Sequence, residues 1–577
     1  MLRDGKAITM RALVTIGVIF SGLASATFRR GHGLQIGPYD ETAARLSSSH
    51  NGNGTTGWGT FEQLIDHSDP SLGTFSQRYW YGTEYWKGPG SPIIFVNPGE
   101  QSGEGFNKSY TTLQRLPGLF AKETGGAVVI MEHRYWGGSS PFEELTTENM
   151  QYLTLDNSIM DNVYFAKNFK PPFDPSGRSS PDKAPWVFSG GSYPGALAGW
   201  LAALEPGTFW AYHGTSGVVE GIRDFWQYFQ PVLEATPQNC SSDLNNVIDY
   251  IDDVLLNGEA DQKQKLKDRF MLGDLEDADF ASALEKGPWS WQSTQFFSES
   301  ELGYNEYYQF CDYIENVWPN STKSAPGPEG VGKEKALEGY AKWVREILLP
   351  GHCEEAGYDD WQGKYNTACF ANLNATNVAY KDLTPGNWVN RQWNWMLCNE
   401  PYVCPTPSSL QLHTSGLRLL IPDDSFGWWQ NGAPKDRPTI VSRLADVDYW
   451  ESQCALFFPE GGYGLDRNKT VAQLNARTGG WDVTNTTRLM YANGQYDPWR
   501  DATVSSIFRP GGPLEGTEEL PVRMIPGGMH CSDFYGQNWE VNDEVKSIAY
   551  EQAENIKQWV DEFYKEKGLH RPSAFGR

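Results

Sequence analysis

Positive charge is in short supply in this chain: 47 Lys and Arg residues face 72 Asp and Glu, a formal net charge of −25 over 577 residues. So acidic a surface repels phosphate backbones, which argues against nucleic acid as a partner and favours solubility without defining a fold. Cysteine and histidine are sparse too, at eight and nine. There is no Cys-x-x-Cys spacing and no close Cys/His cluster, so no metal and no cofactor is implied. Long apolar runs are also missing. The best candidate, residues 12–23, falls short of the stretch of about 20 apolar residues that a membrane span needs. Arg3, Lys6 and Arg11 precede it and Ala24-Ser25-Ala26 follows, the layout of a secretory signal cleaved after Ala26. Residues 1–26 are expected to be a signal peptide, with no membrane anchor.

Residues 27–56 are rich in Ser, Gly, Asn and Thr, and Arg29-Arg30 offers a processing site. This stretch reads as a propeptide or flexible arm. Asn-x-Ser/Thr sequons at Asn53, Asn107, Asn239, Asn320, Asn374, Asn468 and Asn485 suit a secreted glycoprotein, with a vacuolar or lysosome-like compartment as the alternative. An oxidising compartment favours disulfides among the eight cysteines. An aromatic content of 14% supplies ample core.

What the chain does contain is one stretch with chemistry written into it. Pro185-Trp186-Val187-Phe188-Ser189-Gly190-Gly191 reads as a buried strand, Ser192 follows, and the chain passes at once into an alanine- and leucine-rich helical pattern, Ala196 to Leu204, that ends at Pro206-Gly207. A serine on so sharp a strand-to-helix turn has the geometry of a nucleophile elbow, although Pro194 stands where the usual pattern has glycine and Gly195 follows it. Serine needs a base and a group that orients the base. Downstream, Arg488 to Ala492 reads as a strand running into Asp497, and Pro521 to Ile525 as a strand running into His530. The order Ser, Asp, His is that of the hydrolase triad. Both partners lie past strand ends, where open α/β sheets bind ligands. Strand candidates Pro92 to Val96 and Ala127 to Glu132, with helical text between them, predict a parallel sheet. The loop after the first, Asn97 to Gly103, predicts an oxyanion hole made from backbone N–H groups near Gly99 and Glu100 together with that of Tyr193. Glu132-His133-Arg134 is read as salt-bridge and packing chemistry.

Six separated motifs now carry a resemblance: Phe61 to His67, Thr74 to Trp80, Glu132 to Gly137, the Ser192 elbow, Asn493 to Trp499, and the His530 turn. From about Phe61 to Tyr564 the chain resembles the serine-peptidase family of prolylcarboxypeptidase and dipeptidyl peptidase II, and within it the fungal secreted acid prolyl endopeptidases. The resemblance implies an α/β-hydrolase core carrying a large inserted helical cap, and cleavage on the carboxyl side of proline in peptides or proteins. Relatives such as prolylcarboxypeptidase have a second histidine before the catalytic one. Met529 holds that place here, so pH tuning by a histidine pair is not carried over. The same triad would also serve an esterase or lipase, and a dead triad would leave a binding module.

About 300 residues separate Ser192 from Asp497, more than a hydrolase crossover needs, so an inserted domain is expected. The organisation read from the chain is core at 57–216, helical cap at 217–450 and core again at 451–577, as monomer or homodimer. In the cap, Val247, Ile248, Ile251, Val254 and Leu255 share a helical face that ends at Gly258. The segment Arg391 to Glu400 matches a family segment that faces the substrate, which nominates Trp395 and Glu400 for substrate binding. Trp499, two residues after Asp497, is nominated for a flat aromatic slot that takes the pyrrolidine ring. At the end of the chain, Asp543 is expected to cap a helix whose face Val545, Ile548, Ala549, Ile556, Trp559, Val560 and Phe563 packs on the sheet. Residues 403–426, VCPTPSSLQLHTSGLRLLIPDDSF, interrupt the family pattern without helical or strand period. They read either as a surface loop or as a short in-frame intron retained in the coding sequence, the latter favoured because structureless loops of this length are uncommon in compact domains.

Overall fold

In the computed structural model, residues 55–298, 305–317, 324–399, 427–459, 470–483 and 486–572 are described. Ten strands occur among them: β1 (Thr56–Leu64), β2 (Thr74–Gly82), β3 (Ile93–Val96), β4 (Ala127–Met131), β5 (Trp186–Gly191), β6 (Ala211–Thr215), β7 (Ile222–Asp224), β8 (Gly427–Trp429), β9 (Leu489–Gly494) and β10 (Val522–Ile525). Eight of them form one sheet in the order β1-β2-β4-β3-β5-β6-β9-β10. From β4 to β10 every neighbouring pair is parallel, whereas β1 and β2 add an antiparallel edge. The chain is an α/β-hydrolase. The antiparallel edge was not foreseen from the sequence.

Alternate residues of the central strands point to opposite faces, and here both faces are buried. Ile93, Phe95, Trp186 and Phe188 join one apolar cluster, whereas Ile94, Val96 and Val187 join another. Helices account for the difference: α1 (Leu116–Thr124), α2 (Leu155–Asn168), α3 (Tyr193–Leu204), α4 (Gln238–Asn257), α5 (Arg391–Asn399) and α6 (Asp543–Lys567) are those the site depends on. α2 and α3 cover the first face, α1 and α6 the second. Covering a parallel sheet on both sides is what makes its strands read as continuous apolar runs. The apolar face foreseen for α6 is buried throughout. Its cap is Asn542 rather than Asp543: the Asn542 side chain accepts from the N–H groups of Glu544 and Val545, and Asp543 is the first helical residue.

The sheet order reverses between β3 and β5, since β3 leads to β4 on one side while β5 leads to β6 on the other. A crevice at the carboxyl ends of such a pair is the usual place for a ligand. The loop beginning at Asn97 and the turn at Ser192 both emerge there.

Between β6 and β9 the described chain is mostly helical, and its strands are confined to the short parallel pair β7 and β8. On α4, Val247, Ile248, Ile251 and Leu255 are buried, Val254 is half-buried, and Gly258 caps the end. Disulfides join Cys240 to Cys311, Cys353 to Cys369 and Cys398 to Cys454. Cys531, on the core, is free and buried. Asn107 and Asn239 are half-buried and Asn374 is exposed. The sequons Asn53, Asn320, Asn468 and Asn485, the residue Glu400 and the 403–426 stretch lie outside the described residues.

Candidate active site

The turn after β5 is tight because two glycines around it have no room for a side chain. A Cβ on Gly190 would meet Pro194 O at 2.4 Å, and one on Gly195 would meet Thr215 O at 2.7 Å. That accounts for the departure from the usual elbow pattern. Glycine is required at position 195, where α3 crosses β6, and Pro194 is tolerated because first-turn N–H groups have no intrahelical acceptor. Ser192 itself takes φ 63° and ψ −127°, a strained conformation for a residue with a side chain. Its N–H donates to Thr215 O at 2.9 Å. Its Oγ is buried and has no hydrogen-bond partner among the described residues.

Asp497 and His530 are fully buried and meet directly, with His530 Nδ1 2.9 Å from Asp497 Oδ1. The carboxylate accepts the Nδ1 proton, which leaves Nε2 as the acceptor. That Nε2 is without a partner among the described residues, like the Ser192 hydroxyl. The Trp499 N–H also donates to Asp497 Oδ1, at 2.9 Å, so the turn that presents the carboxylate also holds it. Burial opposes charge on the imidazole, but the neighbouring Asp497 carboxylate outweighs it and raises the His530 pKa well above the ordinary histidine value. The base loop reaches the elbow through its next residue. Cys531 N–H donates to Ser216 Oγ at 2.8 Å, and a Cβ on Gly191 would come within 3.1 Å of Cys531 Sγ.

The loop after β3 approaches from the other side. Gly99, at φ +79°, lies so close to the elbow that a Cβ would meet Pro194 Cγ at 2.9 Å. Its N–H, however, donates to Asn97 Oδ1 at 2.9 Å. Gly99 is thus corrected from an oxyanion donor to a spacer, which leaves the N–H groups of Glu100 and Tyr193 as the candidates. The Glu100 carboxyl is buried, and its Oε1 lacks a partner among the described residues. Burial pushes its pKa up to about 8, against smaller lowering effects from its own backbone N–H and from His530.

An aromatic wall links the elbow to the acid loop. Tyr193 packs edge-on against Trp393 at 5.7 Å, Trp393 stacks on Trp428 at 6.2 Å, and Trp428 meets Trp499 at 6.2 Å. Trp499 is closed in by Phe225 and Tyr228, and its Nε1 donates to Gln292 Oε1 at 3.0 Å. The expectation for Trp395 is corrected: it packs against Phe458 and donates from Nε1 to Leu153 O at 3.0 Å, away from this wall. Residues two apart on a helix point in nearly opposite directions, so only one of Trp393 and Trp395 can face the elbow. It is Trp393 that meets Tyr193, and the helical period holds the signal that the two diverge. The contacts of Gln292 and Gln295 with the Trp499 and His530 loops carry no local signal in the sequence.

The Glu132-His133-Arg134 triplet is structural. Arg78 donates from Nε and Nη2 to the Glu132 carboxylate at 2.9 and 2.7 Å, and Arg134 does the same to Asp161 at 2.7 and 2.6 Å. His133 Nε2 lies 3.2 Å from the Tyr193 hydroxyl, beneath the wall.

Comparison with known proteins identifies the family. The family described as serine carboxypeptidase S28 matches residues 63–416. The serine protease vicPa of Bipolaris victoriae (strain FI3) is 40% identical, the match covering 89% of this chain and 90% of that one. A probable extracellular serine carboxypeptidase of Arthroderma benhamiae is 29% identical over 84% of this chain and 64% of its own. The mouse thymus-specific serine protease is 22% identical, with 88% of each chain covered. Among solved structures, a bacterial heroin esterase shares 10% identity at a TM-score of 0.31, covering 90% of each chain. So slight a likeness carries no argument, and the fold rests on the sheet order and the elbow. The chain belongs to the S28 serine carboxypeptidase family and is a serine peptidase.

Proposed function

We propose that this peptidase is secreted and hydrolyses peptide bonds on the carboxyl side of proline through an acyl-enzyme formed on Ser192. The observation that carries the reading is the buried Asp497–His530 hydrogen bond, which commits Nδ1 to the carboxylate and turns an unpartnered Nε2 into the base. In the first half-reaction His530 Nε2 takes the Ser192 proton as Oγ bonds to the prolyl carbonyl carbon. The resulting oxyanion is held by the Tyr193 and Glu100 N–H groups. Collapse breaks the C–N bond, and the imidazolium returns its proton to the leaving amine. Water then repeats the sequence on the ester, releasing the proline-ended acid. Asp497 holds the tautomer and stabilises the imidazolium.

Proline has no N–H to orient it, so recognition of the ring rests on flat apolar surface. The wall of Trp393, Trp428 and Trp499 between nucleophile and acid supplies such a surface. Secretion is supported by the signal-like residues 1–26 and by the word extracellular in the name of the Arthroderma relative.

Ser192→Ala should lower hydrolysis by about 10⁶-fold with thermal unfolding nearly unchanged, and a fluorophosphonate should label the native chain at Ser192 alone. Activity retained in that variant would remove the nucleophile assignment. A chromogenic peptide ending in proline, run beside a short-chain nitrophenyl ester, tests specificity: preference for the ester would make the protein an esterase-like hydrolase. Mass mapping of one long proline-rich digest separates endo from exo cleavage.

A further inference from the structure

We infer that Gln295, a cap residue, is a positioning residue for His530, so that the cap holds the catalytic base as well as covering the site. The inference rests on the Ser192–Asp497–His530 reading above.

His530 and Asp497 stand on loops, and loops are the mobile part of a hydrolase core. Five consecutive cap residues, Trp291 to Gln295, reach both of these loops. Trp291 Nε1 donates to Tyr496 O at 2.7 Å, one residue before Asp497. Gln292 Oε1 accepts from Trp499 Nε1 at 3.0 Å, two residues after it. Gln295 Nε2 donates to the backbone oxygen of His530 itself, at 2.8 Å. Its Oε1 accepts from Asn538 Nδ2 at 2.7 Å. Asn538 Oδ1 in turn accepts from the Phe297 N–H at 3.2 Å, which settles the orientation of both amides. With either amide reversed, two donors or two acceptors would face each other in a buried place.

Gln295 and Asn538 are buried, so these bonds are shielded from competing water. Removing the Gln295 amide leaves the His530 carbonyl without its side-chain donor and frees the base loop to drift, while Asn538 keeps Ser532 O as an acceptor at 2.7 Å. A drift of about 1 Å between base and nucleophile costs on the order of a hundredfold in rate. Substrate contacts are not touched, so the loss belongs to kcat.

The test uses the full chain with a short chromogenic prolyl peptide. Gln295→Ala should lower kcat by about ten- to a hundredfold with KM within about twofold of the native value. It should also broaden or shift the downfield proton resonance of the His530–Asp497 hydrogen bond. If Gln295→Ala does not fold, Gln295→Met replaces it, keeping length while removing the side-chain hydrogen bonds to His530, Asn538 and Ser532. Gln295→Glu supplies a readout that lost packing would not give. Its carboxylic acid can donate to His530 O and accept from Asn538, but its carboxylate cannot donate. The ratio of its kcat to native kcat should therefore rise towards one as pH falls. Native kcat and an unmoved resonance in these variants, or a kcat ratio for Gln295→Glu that is flat with pH, would overturn the positioning role. His530→Ala separates the two readings. If it is inactive while the Gln295 variants behave as native, only the positioning role falls. If it keeps native kcat, the catalytic reading falls and takes this inference with it.

Discussion

The sheet core and the cap hold their shapes by different means. In the core, β3 to β6, β9 and β10 form continuous parallel ladders whose side chains are covered on both faces, and the free cysteine among the described residues sits there. Between β6 and β9 the sole ladder among the described residues is the β7/β8 pair, and the Cys240–Cys311, Cys353–Cys369 and Cys398–Cys454 disulfides lie within that stretch. Cross-links that restrict the unfolded chain add there to what packing supplies. The proposed catalytic residues divide along the same line. Ser192 is set by the strand and helix on either side of it, whereas Asp497 and His530 sit on core loops braced by Trp291, Gln292 and Gln295 of the cap. The nucleophile is thus a local construction and the base a tertiary one.

The largest expected effect probes the base. Asp497→Asn should lower kcat by about 10⁴-fold, because the amide reverses the tautomer preference of His530. Asp497 raises the His530 pKa, and the base works only when neutral, so activity falls as pH drops through that raised value. In the variant the acid limb of residual activity should move to lower pH. The stability that the native pair gains from protonation is fully present below about 6.5 and lost as pH rises through the folded value. The variant should lack that loss, read from Tm against pH.

Next come the two kinds of scaffold. Arg134→Ala takes both guanidinium bonds from the buried Asp161 carboxylate, leaving it His67 Nε2 at 2.8 Å, and should cost about 3 kcal/mol in urea unfolding, a loss borne by the core. Replacing Cys353 and Cys369 together with serine opens a loop of sequence separation 16 and should cost about 3 kcal/mol. If cap and core differ as described, limited proteolysis of the cysteine variant will cut first between β6 and β9. Cutting first in the core would break the comparison.

A smaller effect concerns the aromatic wall. Trp393→Ala and Trp499→Ala should each lower kcat/KM for prolyl substrates by about tenfold, near 1.4 kcal/mol. A short-chain ester should lose less, and it is that ratio, not a fall in Tm, that marks a proline slot. Smallest is Glu100→Gln. With its pKa pushed up to about 8 by burial, the native carboxyl stays neutral when folded but ionises when unfolded from about 4.5 upwards. Native stability should therefore decline as pH rises between those values. The glutamine variant should lack that slope while keeping native activity below pH 8.

How much of this was legible beforehand follows from how local each feature is. The elbow, the two later strands and the order Ser, Asp, His are short-range patterns, because apolar runs, small turn residues and a helical period depend on neighbours in the chain. The buried face of α6 and the face of α4 were legible for the same reason. Three details arise only in the folded chain. Gly99 fails as an oxyanion donor because the Asn97 side chain two residues away takes its N–H. Trp393 rather than Trp395 meets Tyr193 because of how α5 is rotated as it docks. Gln295 meets the His530 carbonyl through a contact 235 residues along the chain. The sequence by itself determined the hydrolase core, the family and the three side chains proposed for the triad, since these reside in local patterns. Tertiary structure alone decided which aromatic faces the nucleophile and what holds the base, because rotation and long-range hydrogen bonds leave no mark on neighbouring residues.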